Sequence, residues 1–170
     1  MEKAYKAGFR SNKDLVKLDA VVRPRAKEEM EKKVKTMAPK DKFKAKGNVD
    51  FKAGNYEGAL AYYQKALDNC DKSDVKLKVS LYCNRAICYQ QQSDFSRVIE
   101  ECNNALELDP NNVKALLRRS SAFEGMEKYR SALADVRSVL LRHPRLDVAN
   151  KAQHRLSSAV RRLKMAKKKY

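Results

Sequence analysis

The chain has 170 residues, of which 43% are hydrophobic and 35% charged, and a formal net charge of +17. That length supports one sizeable core and is short for two domains, and no apolar run reaches the length of a membrane span or of a secretory leader. The two histidines, His143 and His154, pair with no cysteine, serine or carboxylate in a recognisable motif, and there is no glycine-rich phosphate loop, so the sequence carries no case for an enzyme, a cofactor or a metal.

Alanine, leucine, lysine, arginine, glutamate and glutamine abound, against five glycines and four prolines, so the fold class expected is all-α. The cysteines, Cys70, Cys83, Cys88 and Cys102, lack metal-ligand spacing and read as buried thiols in a reducing compartment. Charge is unevenly spread. Residues 1–46 carry 15 basic against 7 acidic side chains, residues 47–110 carry 7 against 10, and residues 111–170 carry 16 against 4. Such a field attracts polyanions, acidic peptides or anionic membrane surfaces without selecting among them.

The first 13 residues hold four basic side chains and one acid, a faint echo of a mitochondrial presequence that reads better as a solvated terminus. Residues 1–38 as a whole form a basic, partly helical extension in which PRAKEEMEKKVKTM, residues 24–37, predicts a charged helix opening at Pro24 and interrupted by Pro39.

An internal repeat then begins. Gly47, Ala86 and Ser120 share one column; Tyr56, Phe95 and Tyr129 another; then Ala59, Val98 and Ala132; Tyr63, Cys102 and Val136; Ala66, Ala105 and Val139. The first step is 39 residues and the second 34. Each unit reads as two helices of about 13 residues joined by a tight turn, at Ala53-Gly54-Asn55, Gln92-Ser93-Asp94 and Glu127-Lys128. Small residues in the Gly47 and Ala59 columns allow the paired helices to approach closely. After Leu146 an apolar stripe (Leu146, Ala149, Ala152, Leu156, Ala159, Val160, Leu163) predicts a helix that caps the array, ending in the basic run RRLKMAKKK.

These columns and this period resemble the tetratricopeptide repeat (TPR). The resemblance covers residues 40–145, three repeats, with a five-residue insertion around NCDKSDVKLK; residues 146–170 follow as the capping helix with its basic tail. Phe43, Tyr82 and Leu116 stand where the family often has tryptophan. The fold it implies is a right-handed superhelix of antiparallel helix pairs whose first helices line the concave face.

Lys44 and Asn48 are four apart on one first helix, Lys114 and Arg118 four apart on another, and Asn84 lies on the helix between. In KAKGN, YCNRA and VKALLRR these five resemble the two-carboxylate clamp of TPR co-chaperones, which binds the Glu-Glu-Val-Asp C-terminus of the 70-kDa and 90-kDa heat-shock chaperones. The resemblance implies that Lys44, Asn48 and Asn84 hold the terminal carboxylate and Lys114 the last aspartate's side chain. It puts Arg118 on the peptide backbone or a preceding acid. Phe51 and Ile87 either form an apolar pocket for the valine or belong to the core. Arg85 and Arg119 read as surface or interhelical groups.

The function so implied is a monomeric, peptide-binding co-chaperone adaptor in the cytoplasm. A mitochondrial preprotein-import receptor at the cytosolic face of the outer membrane is one alternative; a basic scaffold for anionic surfaces or RNA is another. The basic tail reads first as the solvated end of its helix and second as a weak anionic-membrane contact. Nucleic acid is disfavoured, because the basic C-terminal run has no aromatic residue for base stacking apart from Tyr170.

Overall fold

The computed structural model describes residues 28, 29, 31–33 and 35–167. The described residues are helical with short connections and include no strand, in agreement with the all-α expectation. Residues 1–27, and with them the expected helix start at Pro24, lie outside the described set; the described parts of 28–36 are helical, and the helix is interrupted at 37–38.

From Pro39 onward a separate compact unit begins. Its helices are α1 (Pro39–Lys52), α2 (Tyr56–Asp68), α3 (Val75–Gln91), α4 (Phe95–Leu108), α5 (Val113–Gly125), α6 (Tyr129–Arg142) and α7 (Asp147–Lys167). Pro39 opens α1, a position where its missing N–H costs nothing.

The three turns inside the pairs are built alike. Asn55, Asp94 and Lys128 each donate a backbone N–H to a carbonyl five residues back, on Asp50, Tyr89 and Phe123, at 2.9, 3.0 and 2.8 Å. The residue before each, Gly54, Ser93 and Glu127, has a positive φ of 80, 57 and 59°. This left-handed closure satisfies carbonyls that the ended helix leaves open and reverses the chain into the next helix. Asn55 and Asp94 then cap that helix through side-chain oxygens on the N–H of Gly58 and Arg97, whereas Lys128 makes no side-chain cap.

Packing follows the columns. Ala59, Tyr63 and Ala66 form one cluster with Leu81 and Cys88. Ala86, Val98, Cys102 and Ala122 form a second. The largest joins Ala105, Ala132, Val136 and Val139 to Ala149, Ala152 and Leu156 of α7. α1 and α2 approach closely at Gly47, where a Cβ would stand 2.6 Å from the Tyr63 ring.

The insertion lengthens α3 to 17 residues and sets the loop 69–74 before it. Asp74 of that loop accepts from Lys40 Nζ at 2.6 Å and from the Asp71 N–H at 2.7 Å, pinning it to the start of α1.

Two expectations need correction. The α7 stripe stops at Val160: Leu163 is 46% exposed, because a hollow lined by Tyr129, Ser131 and Leu163 separates the end of α7 from the first turn of α6. Cys83, Cys88 and Cys102 are buried free thiols, but Cys70, next to the inserted loop, is only half-buried.

Candidate functional site

Alternate helices supply the site, because each pair turns its second helix away. Asn48, Phe51 and Lys52 of α1 and Asn84 and Ile87 of α3 line a hollow of about 160 Å³, with Tyr63 of α2 behind them. A second hollow of about 610 Å³ is lined by Lys76, Ser80 and Asn84 of α3 and by Lys114 and Arg118 of α5. Asn84 faces both, so the two adjoin there. Of the seven residues singled out by sequence, six therefore border this continuous trough. Lys44 lines neither hollow; it lies half-buried one helical turn before Asn48.

The polar chemistry of the trough is mostly that of donors. The Asn48 side-chain oxygen accepts from the Tyr63 hydroxyl at 2.8 Å and from the Asn84 amide at 3.3 Å. With its oxygen so engaged, Asn48 has only N–H groups left to offer. Burial pushes the Tyr63 hydroxyl up to about 12, which keeps it protonated and donating. Among the described residues, Lys44, Lys114 and Arg118 form no salt bridge. Arg118 Nη1 is buried without a hydrogen-bond partner. An orphaned guanidinium N–H at a groove wall is costly unless a ligand oxygen meets it.

Cys83 sits in the wall beside these cations. Burial pushes its thiol up, against the opposing pull of Arg118 and Lys114, so it is a poor nucleophile. No group of three or more histidine, cysteine, aspartate or glutamate side chains among the described residues could hold a metal. What the trough can do is bind anions through fixed donors.

Phe51 packs against the Ala59–Tyr63 cluster and also faces the small hollow, while Ile87 faces the hollow and is half-buried. Arg85 and Arg119 are interhelical, paired with Glu101 and Asp135.

Sequence reasoning missed Lys52, Lys76, Ser80 and the hydroxyl of Tyr63. A signal existed for each. Lys44, Asn48 and Lys52 fall on one four-residue spacing and Lys76, Ser80 and Asn84 on another, so extending each face by a turn finds them. A buried tyrosine needs a partner for its hydroxyl, and Asn48 is the polar group within reach.

Comparison with known proteins follows the same lines. A model described as the tetratricopeptide repeat matches residues 79–112. Mitochondrial import receptor subunit TOM34 of Rattus norvegicus is 39% identical over 112 residues, covering 61% of this chain and 36% of its own length. The TPR domain of Arabidopsis OM64 is similar with a TM-score of 0.63 and 31% identity, over 71% of this chain and 95% of that domain. The first TPR domain of Spaghetti (RPAP3), bound to the HSP90 peptide SRMEEVD, has a TM-score of 0.65 and 30% identity, over 72% and 95%. The chain spans 29 to 36% of the length of the first curated relatives it matches.

Proposed function

The chain belongs to the tetratricopeptide repeat family, and from that premise we propose that it is a co-chaperone adaptor whose groove takes the Glu-Glu-Val-Asp C-terminus of a 70-kDa or 90-kDa heat-shock chaperone. The observation that carries this reading is that Lys114 and Arg118, on a wall shared with Asn84, form no salt bridge among the described residues. A C-terminal aspartate offers two carboxylates a few ångströms apart, which an internal sequence does not, so donors at both ends of a trough select a free chain end. The peptide in the RPAP3 domain ends in that same sequence, which supports the choice of ligand.

In this reading Lys44, Asn48 and Asn84 hold the main-chain carboxylate, Lys44 reaching it through its flexible side chain. Lys114 meets the aspartate side chain. Arg118 meets the backbone or an acid upstream, and the hollow between Phe51 and Ile87 takes the valine. Residues 40–145 do the binding, 146–170 cap the array, and 1–38 are a basic extension. No step of catalysis is involved. The setting is the cytoplasm, with the cytosolic face of the mitochondrial outer membrane as its second location, supported by similarity to TOM34 and OM64.

Charge-assisted hydrogen bonds contribute about 1.5–3 kcal/mol each, and after the ordering cost of a flexible tail the affinity is about micromolar. The test titrates a labelled Met-Glu-Glu-Val-Asp peptide against its C-terminally amidated form and a scrambled acidic peptide. Amidation, Lys114→Ala and Arg118→Ala should each remove most of the binding. Equal binding of the scrambled peptide would reduce the interaction to generic charge.

A further inference from the structure

A hollow of about 540 Å³ lies on the other side of α3, lined by Lys78, Tyr82 and Arg85 of that helix and by residues of α2 and α4. Lys76, Ser80 and Asn84, which border the peptide trough, are separated from these three by about half a turn of helix. The two hollows therefore open on opposite sides of α3 and share only Leu108 at their edge.

The third repeat provides an internal control. Its Arg119 donates to both oxygens of Asp135, at 2.8 and 2.7 Å, and to Asn103 at 2.8 Å, so the buried pair is closed. Arg85, Glu101 and Gln64 occupy the same three columns one repeat earlier. There the contact is single, Arg85 Nη2 to Glu101 Oε1 at 2.8 Å, with Nη1 on Gln64. Arg85 Nε and Glu101 Oε2 remain buried without partners, although Glu101 is only 6% exposed.

The surroundings differ in the same direction. Asp68, Glu100 and Glu107 also line the hollow, giving with Glu101 four carboxylates against Lys78 and Arg85. The third-repeat counterparts of Glu100 and Glu107 are Ala134 and Leu141. Hence the acidic character belongs to the first junction and is not a property of the repeat. In a chain of charge +17 it is a local inversion of sign.

We propose that this hollow is a second docking site, for a lysine- or arginine-bearing peptide segment of a partner protein, whose cation pairs with the exposed Glu100 and Glu107 and reaches Glu101 Oε2 once the Glu101 side chain turns toward the hollow. Because the hollow and the trough open on opposite faces of α3, both are filled at once. An adaptor then holds a chaperone tail on one side and a basic segment on the other. The site stands or falls independently of what the trough binds.

The probe is a labelled, capped tetra-arginine peptide, titrated with the full chain by anisotropy and mapped by amide chemical shifts, with spermine as a competing free polyamine. Saturable binding is expected, with shifts on α2 and α4. Glu101→Gln should weaken it about tenfold, the loss of one charge-assisted hydrogen bond. Since Glu101→Gln disturbs a buried pair, the exposed double variant Glu100→Ala/Glu107→Leu, which imports the third repeat's residues, is measured beside it. It should weaken the tetra-arginine peptide by a similar factor and leave the Met-Glu-Glu-Val-Asp titration unchanged. Absence of saturable binding, equal affinity in the double variant, or shifts confined to the trough would overturn the site. Spermine binding as tightly as the peptide would overturn the assignment to a protein partner.

Discussion

The Tyr63 hydroxyl donates to the side-chain oxygen of Asn48 at 2.8 Å, joining the packing column of the first helix pair to the floor of the peptide trough. One side chain thus fills the core and orients the Asn48 amide. Tyr63→Phe keeps the ring and removes only this donor. A neutral hydrogen bond of this kind contributes about 0.5–1.5 kcal/mol, so stability should fall by about that much. Freed from Tyr63, the Asn48 amide can flip, and affinity for the chaperone peptide should drop about three- to tenfold. Urea denaturation and peptide titration check both; unchanged affinity with lowered stability would confine Tyr63 to packing.

Gly47 and Tyr63 bring α1 and α2 into close contact, and the consequence can be weighed. Gly47→Ala raises helix propensity by about 1 kcal/mol. Against that, the new Cβ would lie 2.6 Å from a ring that is 2% exposed and has nowhere to move. Overpacking costs about 1–3 kcal/mol, so the variant should have a lower urea midpoint. An increase would mean that α1 and α2 separate freely.

The helix pairs were legible because their columns recur at full spacing, and Gly47, Tyr63 and Ala105 stand where those columns placed them. Other features depend on reach rather than type. An amphipathic stripe does not reveal where the neighbouring helix ends, so Leu163 looked like core and is not. Glu101 and Asp135 occupy one column and carry one charge, yet the longer side chain makes a single contact with Arg85 where the shorter clasps Arg119 with both oxygens. Such differences of a methylene are invisible to a pattern of types. The four-residue spacing that links Lys44 and Asn48 extends in the sequence to Lys52.

The third intrahelical-pair turn is the weakest of the three. Glu127 adopts a φ of 59° where the first repeat has glycine, and Lys128 fails to cap α6 where Asn55 and Asp94 cap their helices. A non-glycine residue in the left-handed region costs about 1 kcal/mol, and a missing N-cap about another. Glu127→Gly with Lys128→Asp should therefore raise the melting temperature, by about 2–4 °C per kcal/mol. Peptide affinity should not change, since neither residue borders the trough. A lower melting temperature would show that these side chains hold the end of α7 instead.

Acid should loosen the inserted loop first. The Lys40 ammonium beside Asp74, with the Asp71 N–H, holds the Asp74 carboxyl below its ordinary value, and Asp74 in turn raises Lys40. A lowered carboxyl contributes stability that is present above its unfolded value and lost as pH falls through the folded one. A raised lysine contributes stability that is lost as pH climbs through its folded value. The pair therefore works between those limits and is silent outside them. Lys40→Met should lower the urea midpoint at neutral pH, and the difference should shrink as acid protonates Asp74. Salt should shrink the effect at neutral pH, because the pair is only partly buried and its charges are reached by counterions. A deficit that persists undiminished in acid would assign the role of Lys40 to the packing of its aliphatic stem against the loop rather than to its charge.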